Sequence, residues 1–504
     1  MNKKAILLIL DGWGMAKPDK FNAIDNAKTP NFDFLRNTYA YTELKAHGEF
    51  VGLPEGQMGT SEVNHLAIGT GRILQQTLPL INSMVENNGF AQNEQIKNLV
   101  QHVIKNESAL HLVGIVSDGG VHYHMNHLFA FLKFLQGIEF KQEVYIHVFA
   151  DGRDTPPKSI EGYLEELEKQ IESCGIGNIA SFQGRVYLDR DRDWDKTEKA
   201  FQLIKNLEGE KMQNWRDALN KSYEEEKVEN DQYHKQYFFE GAKGVEEGDA
   251  LFIWGFRTDR QFQILKRILD EKIKNFRLTS FINPSKDFDF DPIFPENVVE
   301  KTLAELVDTQ SKKQLHITET EKYTHLTYFF NGRREVEFSQ EAWELLQSNR
   351  YVKPDYNFEP SMRAFNITKE ITESIENDTY DLIVANYPNT DMVGHTGNYE
   401  AAVIAAESVD YCLGKIYEAL KDRLDEYTLF ITADHGNSDE MWDYEANQPH
   451  SQHTLNPVPF ITVTNEDVEI TNADLLDGIA PTILSFMGIE VPSEMTGKPV
   501  VVKK

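Results

Sequence analysis

The sequence predicts an α/β protein built from two α/β domains with mainly parallel sheets. Apolar runs of strand length recur along the chain, and several of them end on an acidic or polar residue. Longer stretches with helical spacing of apolar residues lie between these runs, and this alternation is typical of parallel sheets. The length of 504 residues exceeds the roughly 250–300 residues at which one hydrophobic core stops growing, so we expect at least two domains.

Five apolar runs are predicted strands that end on an acidic or polar residue. They are Ala5–Leu10 before Asp11, Leu110–Val116 before Ser117, Val144–Phe149 before Asp151, Asp381–Ala385 before Asn386, and Leu429–Ala433 before Asp434. A single Asp after a strand is explained by the preference of Asp for turns and helix N-caps. Ligands of open parallel sheets bind outside the carboxyl ends of the strands, so the whole set indicates an active edge.

Helical periodicity is clearest in Ala401–Leu420. Apolar residues recur there at Ile404, Ala405, Val409, Cys412, Ile416 and Leu420, which predicts an amphipathic helix with these residues on its buried face. The chain leaves a Gly-rich segment near Thr77, and Asn283–Asn297 is rich in Pro, Asp and Phe without clear periodicity. We interpret these two segments as domain boundaries.

Composition narrows the classes of partner. The formal charge of −30 argues against nucleic acids and anionic membranes, because binding a polyanion needs clustered Lys and Arg. Hydrophobic residues at 40% and charged residues at 26% are ordinary globular proportions. The chain has only two cysteines, Cys174 and Cys412, and we expect buried free thiols rather than a disulfide.

The first ten residues are basic and then apolar, as in a signal peptide. The apolar run is short and leads directly into Asp11 without a small-residue cleavage site, so a first core strand is the better interpretation. No apolar run reaches the roughly 18 residues that a spanning helix needs. We therefore expect a soluble cytoplasmic protein.

Acidic and histidine residues from distant segments suggest metal sites. Asp391 and His395 are four residues apart, which places both on one face of a helical turn, and Asp434-His435 directly follows a predicted strand. Asp11 ends the first strand, and His450 and His453 lie in a later loop. Mixed oxygen and imidazole ligands suit Mn, Zn or Fe. Any one of these histidines is more often a structural residue than a ligand.

Ser61 lies near the start of a predicted helix, after the turn Gly56–Thr60. Backbone N–H groups and the helix dipole at such a position favour a phosphate. An N-cap role explains the serine equally well from local sequence. As a nucleophile it would need activation, which metal coordination beside Asp11 or Asp434 can provide.

Arginines cluster after predicted strands within residues 110–260. They are Arg153, Arg185, Arg190, Arg192, Arg257 and Arg260. In so acidic a chain, arginines at such positions suit bidentate binding of phosphate or carboxylate. Surface ion pairs with the neighbouring Asp residues explain them equally well.

Taken together, these segments resemble the cofactor-independent phosphoglycerate mutases of the alkaline phosphatase superfamily, over nearly the whole chain. The most specific segments are Leu10–Gly14, Gly56–Arg72, Val116–His122, Ala150–Ser159, Glu319–His325, Asp391–Gly397, Thr432–Met441, Gln448–Thr454 and Asn456–Phe460. The resemblance implies an alkaline-phosphatase-like, metal-binding domain of residues 1–76 and 300–504. An inserted phosphotransferase and substrate-binding domain of residues 77–299 interrupts it.

The resemblance also implies the site residues. Asp391, His395 and His453 would hold one divalent metal ion, and Asp11, Ser61, Asp434 and His435 the other, with Mn²⁺ the expected metal at both. The residues expected to bind phosphoglycerate are His122, Arg153, Asp154, Arg185, Arg190, Arg257, Arg260 and Lys322. The catalytic residues would be Ser61, Asp154 and Lys322.

The implied reaction interconverts 3-phosphoglycerate and 2-phosphoglycerate in glycolysis and gluconeogenesis. Ser61 would take the phosphate, the glycerate would stay bound, and the phosphate would return to its other hydroxyl without 2,3-bisphosphoglycerate. Asp154 is the candidate to move protons between the two hydroxyls, with His122 able to share that role. We expect a monomer that binds a small-molecule substrate and neither nucleic acid nor membrane.

The sequence departs from the family pattern at Thr60, Asn64, Gly255 and Asp193, where Asn, Gly, Asn and Arg are more usual. None of these positions is an expected metal ligand. A related hydrolase or phosphopentose mutase would share the metal site, but the segments around Arg153, Arg257 and Arg260 favour the phosphoglycerate enzymes. A non-catalytic scaffold derived from such an enzyme is disfavoured by the intact set of ligands with Ser61.

Overall fold

The computed structural model describes residues 3–296 and 298–504. The chain divides into two compact units, one of Met1–Gln76 with Asn297–Lys504 and one of Thr77–Glu296. Asn297, the last residue of the predicted linker, lies outside the described residues, as do Met1 and Asn2. The functions that the sequence suggests for the two domains remain predictions.

The strands of the described residues alternate with helices along the chain. They are β1 Lys4–Leu10, β2 Ala40–Leu44, β3 Leu110–Ile115, β4 Val144–Ala150, β5 Asn178–Gly184, β6 Glu210–Met212, β7 Tyr237–Phe239, β8 Ala250–Ile253, β9 Arg277–Ser280, β10 Gln314–Glu319, β11 Glu341–Leu346, β12 Leu382–Tyr387, β13 Tyr427–Thr432, β14 Trp442–Asp443, β15 Gln448–Pro449, β16 Val458–Val463, β17 Val468–Ile470 and β18 Val501–Lys503.

The α-helices vary from one turn to six turns. They are α1 Ala23–Asn26, α2 Pro30–Thr38, α3 Ser61–Thr70, α4 Thr77–Glu86, α5 Glu94–Asn106, α6 Met125–Gly137, α7 Ile160–Cys174, α8 Trp194–Asn206, α9 Trp215–Asn220, α10 Asp259–Asp270, α11 Leu303–Thr309, α12 Ala364–Glu376, α13 Asn389–Gly394, α14 Tyr399–Leu420 and α15 Ile479–Met487. None of the described helices combines the length and apolar character needed to cross a bilayer.

The first unit contains a seven-stranded sheet with the order β11-β10-β12-β1-β13-β16-β2. β1 pairs in parallel with β12 and with β13, so that Leu10 lies beside Tyr387 and Ile9 beside Thr432. Only β16 runs in the opposite direction in this sheet, antiparallel to both of its neighbours, β13 and β2. β1 is apolar at almost every position because both faces of a central parallel strand are buried.

The second unit contains another seven-stranded sheet, with the order β6-β7-β5-β4-β3-β8-β9. Its strands are parallel except where β7 meets β5. Helices follow most strands in both units, so the predicted α/β class with mainly parallel sheets is confirmed. The five predicted strands are all present, with ends shifted by at most a few residues.

Two sequence predictions in these elements need correction. Ile404 was placed on the buried face of α14 but is 50% exposed, because it lies about 140° around the helix from Val409, at the centre of the buried stripe. Asn386 was placed after its strand but is part of β12, where it is fully buried. The cysteine prediction is confirmed, since Cys174 and Cys412 are both buried and free.

Candidate metal centre and anion-binding cluster

Three carboxylates meet at the carboxyl edge of the first sheet. Asp11 follows β1 directly, Asp434 lies two residues after β13, and Asp391 is in α13, which begins two residues after β12. Because β12 and β13 flank β1, their carboxyl ends lie next to that of β1. All three side chains are almost completely buried, at 0–1% exposure.

These carboxylates and nearby histidines form two groups with the spacing of metal ligands. Asp391, His395 and His453 form one group, and Asp11, Asp434 and His435 form the other. Within each group, one ligand atom from every residue lies within 4.8 Å of the others. In the first group, Asp391 Oδ1 is 3.2 Å from His395 Nε2 and 3.3 Å from His453 Nε2. His450 joins neither group, and its Nδ1 contacts the carbonyl of Glu440 at 2.9 Å.

The donor chemistry of the two groups fits divalent metal ions. Burial lowers the pKa of His435 to about 4, so its imidazole is neutral and able to coordinate at neutral pH. Asp434 Oδ2 is buried and accepts no hydrogen bond from the described residues, which leaves a carboxylate oxygen available for a cation. Mixed carboxylate and imidazole donors are the ligands preferred by Mn, Zn and Fe.

Ser61 is the first residue of α3, and its side chain does not cap the helix. Thr60 is the N-cap, and its hydroxyl lies 3.5 Å from the backbone N–H of Val63. The Ser61 Oγ instead lies 2.9 Å from His435 Nε2 and 2.6 Å from Lys322 Nζ. The N-cap explanation of Ser61 is therefore wrong, and its hydroxyl is directed at the ligand groups.

Lys322 lies at the centre of this arrangement. Its Nζ donates to Asp11 Oδ1 and Asp391 Oδ2, each at 2.7 Å, and the side chain is only 5% exposed. Burial alone would lower the pKa of Lys322, but Asp11 and Asp391 outweigh burial and hold the pKa above its ordinary value. Burial likewise opposes ionisation of Asp391, and Lys322 outweighs it, keeping the Asp391 pKa well below its usual range. Lys322 and Asp391 are thus charged, whereas burial and the neighbouring Asp434 raise the pKa of Asp11 well above its usual range.

Further polar residues orient these donors and were missed as site residues by the sequence reasoning. Asn386 Nδ2 donates to Asp11 Oδ2 at 2.7 Å and lies 3.0 Å from His65 Nε2. Asn437 Nδ2 donates to Asp391 Oδ1 at 2.9 Å. A polar residue at the end of an apolar strand was the one available indication of Asn386. Fixing a ligand's orientation through a second hydrogen bond is a general feature of metal sites.

In the second unit, several of the predicted anion-binding residues come together through bridging carboxylates. Arg185 donates from Nη1 to Asp154 Oδ2 at 2.6 Å and also to Asp151. His122 Nε2 lies 3.9 Å from Asp154 Oδ2, which connects the three predicted residues His122, Asp154 and Arg185. Asp151 was not predicted as a site residue, although it ends a predicted strand.

Asp259 makes the second bridge. It lies 3.1 Å from His122 Nδ1 and 3.0 Å from Arg190 Nη1. Burial opposes ionisation of Asp259, but His122 and Arg190 outweigh it and hold its pKa well below the usual range. Asp259 was also missed as a site residue by the sequence reasoning.

The arginines of this cluster differ in exposure. Arg185 and Arg260 are buried, and the Nε of each has no hydrogen-bond partner among the described residues. Burial and the nearby positive charges of Arg185, Arg190 and Arg153 lower the pKa of Arg260. Arg153 and Arg257 are exposed. Buried unpaired donors and mutually close cations fit an anion-binding role better than surface ion pairs.

Each of the four residues that depart from the family pattern makes a defined contact in the structure. Thr60 caps α3, and Asn64 donates to the carbonyls of Ala46 and Asp434. Asp193 is the N-cap of α8, and Gly255 packs against the ring of Tyr123. Asn64 thereby ties the helix of Ser61 to the segment of Asp434.

Comparison with known proteins first defines the class. The family model described as Metalloenzyme superfamily matches residues 3–491, so the chain is a member of that superfamily. The 2,3-bisphosphoglycerate-independent phosphoglycerate mutase of Clostridium kluyveri is 41% identical, with 99% of this chain and 100% of the relative covered. The enzyme of the same name from Clostridium beijerinckii is 40% identical, with both chains fully covered.

A solved structure supports the same assignment. The crystal structure of Leishmania mexicana phosphoglycerate mutase at low cobalt concentration is similar with a TM-score of 0.68 and 27% identity, covering 100% of this chain and 98% of that one. The chain belongs to the 2,3-bisphosphoglycerate-independent phosphoglycerate mutase family, and it is an enzyme with mutase, that is isomerase, activity. The family resemblance read from the sequence is confirmed.

Proposed function

We propose that this mutase interconverts 3-phosphoglycerate and 2-phosphoglycerate through a phosphoserine on Ser61, with two divalent metal ions and without 2,3-bisphosphoglycerate. The position of the Ser61 hydroxyl carries the proposal, because it lies 2.9 Å from His435 and 2.6 Å from Lys322. The enzyme would act in glycolysis and gluconeogenesis in the cytoplasm. We expect it to be a monomer.

The two groups of carboxylates and imidazoles are the proposed metal ligands, and Mn²⁺ is the metal that we expect. One ion would be held by Asp391, His395 and His453, and the other by Asp11, Asp434, His435 and Ser61. When bound, the ions would supply positive charge that favours ionisation of the serine hydroxyl and neutralises the phosphoryl oxygens. Asp434 Oδ2, which is buried and accepts no hydrogen bond from the part of the chain that the structure describes, supports this assignment.

The reaction balances without a second phosphate donor. Ser61 Oγ, already ionised, attacks phosphorus in line, the bond to the glycerate 3-oxygen breaks, and that oxygen takes a proton from Asp154, to which the 2-hydroxyl later returns one. The 2-hydroxyl of the same glycerate then loses its proton and attacks the phosphoserine, which restores Ser61. The ammonium of Lys322 stabilises the serine oxygen and adds positive charge beside the transferred group.

The residues of the second unit would bind the glycerate. Arg153, Arg185, Arg190, Arg257 and Arg260 offer planar donors for its carboxylate and for phosphate. Asp154 is the proposed proton carrier between the two hydroxyls, with His122 as a partner 3.9 Å away. The Nε groups of Arg185 and Arg260, which have no hydrogen-bond partner within residues 3–296 and 298–504, support a role in anion binding.

An enolase-coupled assay with Mn²⁺ and no bisphosphoglycerate tests the proposal. We expect the wild type to turn over 3-phosphoglycerate and Ser61→Ala to lose at least about 10³-fold in kcat, as expected for removal of a nucleophile. Thr60→Ser is the matched control, because it keeps the hydroxyl that caps α3 and should stay active. Full activity of Ser61→Ala would exclude the phosphoserine route.

A further inference from the structure

A short segment of the second unit, Asn230–His234, contacts two loops that carry proposed substrate-binding residues. The first is the loop of residues 151–159, with Arg153 and Asp154, and the second is the end of β5, where Gly184 precedes Arg185. Asn230 Nδ2 donates to the carbonyl of Gly152 at 2.8 Å. The backbone N–H of Asp231 donates to the carbonyl of Pro157 at 2.7 Å, and that of Gly184 donates to the carbonyl of His234 at 2.9 Å.

The two glycines show how closely this segment approaches. A Cβ at Gly152, whose φ is +69°, would lie 2.5 Å from Asn230 Oδ1. A Cβ at Gly184 would lie 2.1 Å from the carbonyl oxygen of Gln232. Real Cβ atoms do not approach other atoms so closely, so any other residue at either position would displace the segment or the loop. Each of the two loops therefore has a glycine where it touches Asn230–His234.

The carboxylate of Asp231 is the main attachment point. Asp231 is fully buried, and its Oδ2 accepts from the backbone N–H groups of Ser159 at 2.7 Å and Ile160 at 2.9 Å. These are the first amides of α7, whose N-cap residue Ser159 makes no capping bond with its own side chain. A carboxylate at a helix N-terminus is stabilised by the dipole as well as by the hydrogen bonds. Asp231 thus holds the C-terminal end of the 151–159 loop in a fixed position.

Two further side chains hold Asp231 in place. Its Oδ1 accepts from the hydroxyl of Tyr223 and lies 3.1 Å from His234 Nε2. His234 Nδ1 in turn lies 2.6 Å from Ser222 Oγ. Burial opposes ionisation of Asp231, but the hydrogen bonds from His234, Tyr223 and the two amides outweigh it and lower its pKa.

Serine, histidine and aspartate in this order are also the groups of a hydrolase triad. Here Ser222, His234 and Asp231 are all 0% exposed, so none of them can reach a substrate. The network is therefore a support for the loops and not a second nucleophilic site.

We infer that Asn230–His234 is a positioning element for the substrate-binding loops, with Asp231 as its central residue. This inference rests on the proposed role of Arg153, Asp154 and Arg185 in binding phosphoglycerate. By fixing both loops from one segment, the element keeps these side chains preorganised for an anionic ligand. Without it, binding would have to order the loops at a cost in affinity.

Asp231→Ala tests the inference through two measurements. We expect hydrogen exchange of the amides in residues 152–160 to become about tenfold faster, because Ser159 and Ile160 lose their acceptor. We expect the KM for 3-phosphoglycerate to rise about tenfold, with Mn²⁺ affinity unchanged, because the loops lose preorganisation and the proposed metal ligands belong to the other unit. Asn230→Ala removes the bond to Gly152 and the bond that Asn230 Oδ1 accepts from the backbone N–H of Gln232, but it keeps Asp231, so it should change both quantities in the same direction by less.

Asp249→Ala is the matched control. Asp249 is a buried carboxylate of the same unit that accepts from the backbone N–H groups of Ala109 at 2.8 Å and Glu246 at 2.7 Å and lies 3.3 Å from His111 Nε2. It precedes β8 at the amino edge of the sheet and contacts neither loop. We expect a comparable loss of stability but wild-type exchange in residues 152–160 and a wild-type KM.

The exchange measurement decides the inference independently of the proposed function. Exchange in residues 152–160 that stays within about twofold of wild type in Asp231→Ala would overturn it, since a lost capping bond changes protection by more. Equal acceleration in Asp249→Ala would overturn it as well. Arg153→Ala tests the underlying proposal, because an unchanged KM in that variant contradicts substrate binding by the loop whatever the exchange result.

Discussion

A buried ammonium group needs nearby carboxylates, and Lys322 has two. Its Nζ contacts Asp11 and Asp391 at 2.7 Å, in a region where Asp434 adds a third buried carboxylate. Removing one partner of a buried ion pair leaves an uncompensated charge, and a bound divalent ion can supply the missing compensation. The effect of metal on stability should therefore depend on this lysine.

We predict that Lys322→Met, which keeps side-chain length without the charge, loses about 3–5 kcal/mol of unfolding free energy in EDTA. Added Mn²⁺ should stabilise this variant more than it stabilises the wild type, as thermal or urea unfolding with and without metal would measure. Lys3→Met is the control, because Lys3 is equally buried but its Nζ contacts Leu424, Asn465 and Glu466, none of which is a proposed metal ligand. The same Mn²⁺ stabilisation in all three proteins would contradict the prediction.

Glu319, at the end of β10, gives a pH-dependent stability. Burial raises its pKa from 4.5 to about 7, although the backbone N–H of Arg363 and the hydroxyl of Ser348 donate to it at 2.7 and 2.9 Å. Between pH 4.5 and 7, the folded protein keeps a proton that the unfolded chain has lost. The contribution of Glu319 to stability therefore falls as the pH rises through this range.

Glu319→Gln should be free of this loss, because its amide oxygen can accept from the Arg363 N–H and its NH2 group can donate to the Ser348 hydroxyl oxygen without ionising. We predict that the variant equals the wild type in unfolding free energy near pH 4.5 and exceeds it by up to about 3 kcal/mol at pH 7 and above. Urea unfolding at a series of pH values measures the difference. Glu376→Gln, at an exposed position of α12, controls for loss of charge, and a difference independent of pH would count against the prediction.

At the scale of elements, helix ends are held by side chains that are distant in sequence. Asp410, in the middle of α14, accepts from the backbone N–H of Phe32 at 2.7 Å and from the side chain of Asn31 at 2.8 Å. The N-cap residue of α2, Thr29, makes no capping bond with its own side chain. Asp410 therefore supplies the cap of α2 from another helix.

Asp410→Ala should lower the unfolding free energy by about 1–3 kcal/mol, because buried amides lose a charged acceptor. Glu407→Ala, on the same helix, removes a similar bond, from Lys28 N–H at 3.1 Å, but this bond is exposed to solvent, and its loss should cost less than about 1 kcal/mol. Urea unfolding compares the two variants. Equal costs would show that burial does not set the strength of these caps.

The sequence predicted elements well where apolar periodicity was strong. The five strands appear because central parallel strands are apolar on both faces, which makes their pattern easy to recognise. Local pattern failed where tertiary contacts decide the outcome. Ser61 has the local features of an N-cap, but Thr60 takes that role and frees the Ser61 hydroxyl for Lys322 and His435.

At the scale of the whole molecule, the candidate site depends on segments from both ends of the chain. The metal-ligating pattern of Asp391 and His395 was visible from spacing, but their approach to Asp11 and Asp434 depends on the strand order. The central place of Lys322 and the bridge made by Asp259 had no local indication, and Asp151 was indicated only by its place after a predicted strand. They follow from distances between segments, which sequence spacing does not encode.

The place of β1 has a consequence for synthesis on the ribosome. β1 is the fourth of seven strands in its sheet, and its two neighbours are formed by residues 382–387 and 427–432. At roughly 5–20 residues per second, this apolar strand waits about 20 seconds or longer for its first partner. All strands of the other sheet are translated in the interval. Lys4–Leu10 therefore needs protection from aggregation while the chain is being made. Binding by a chaperone during translation would provide that protection.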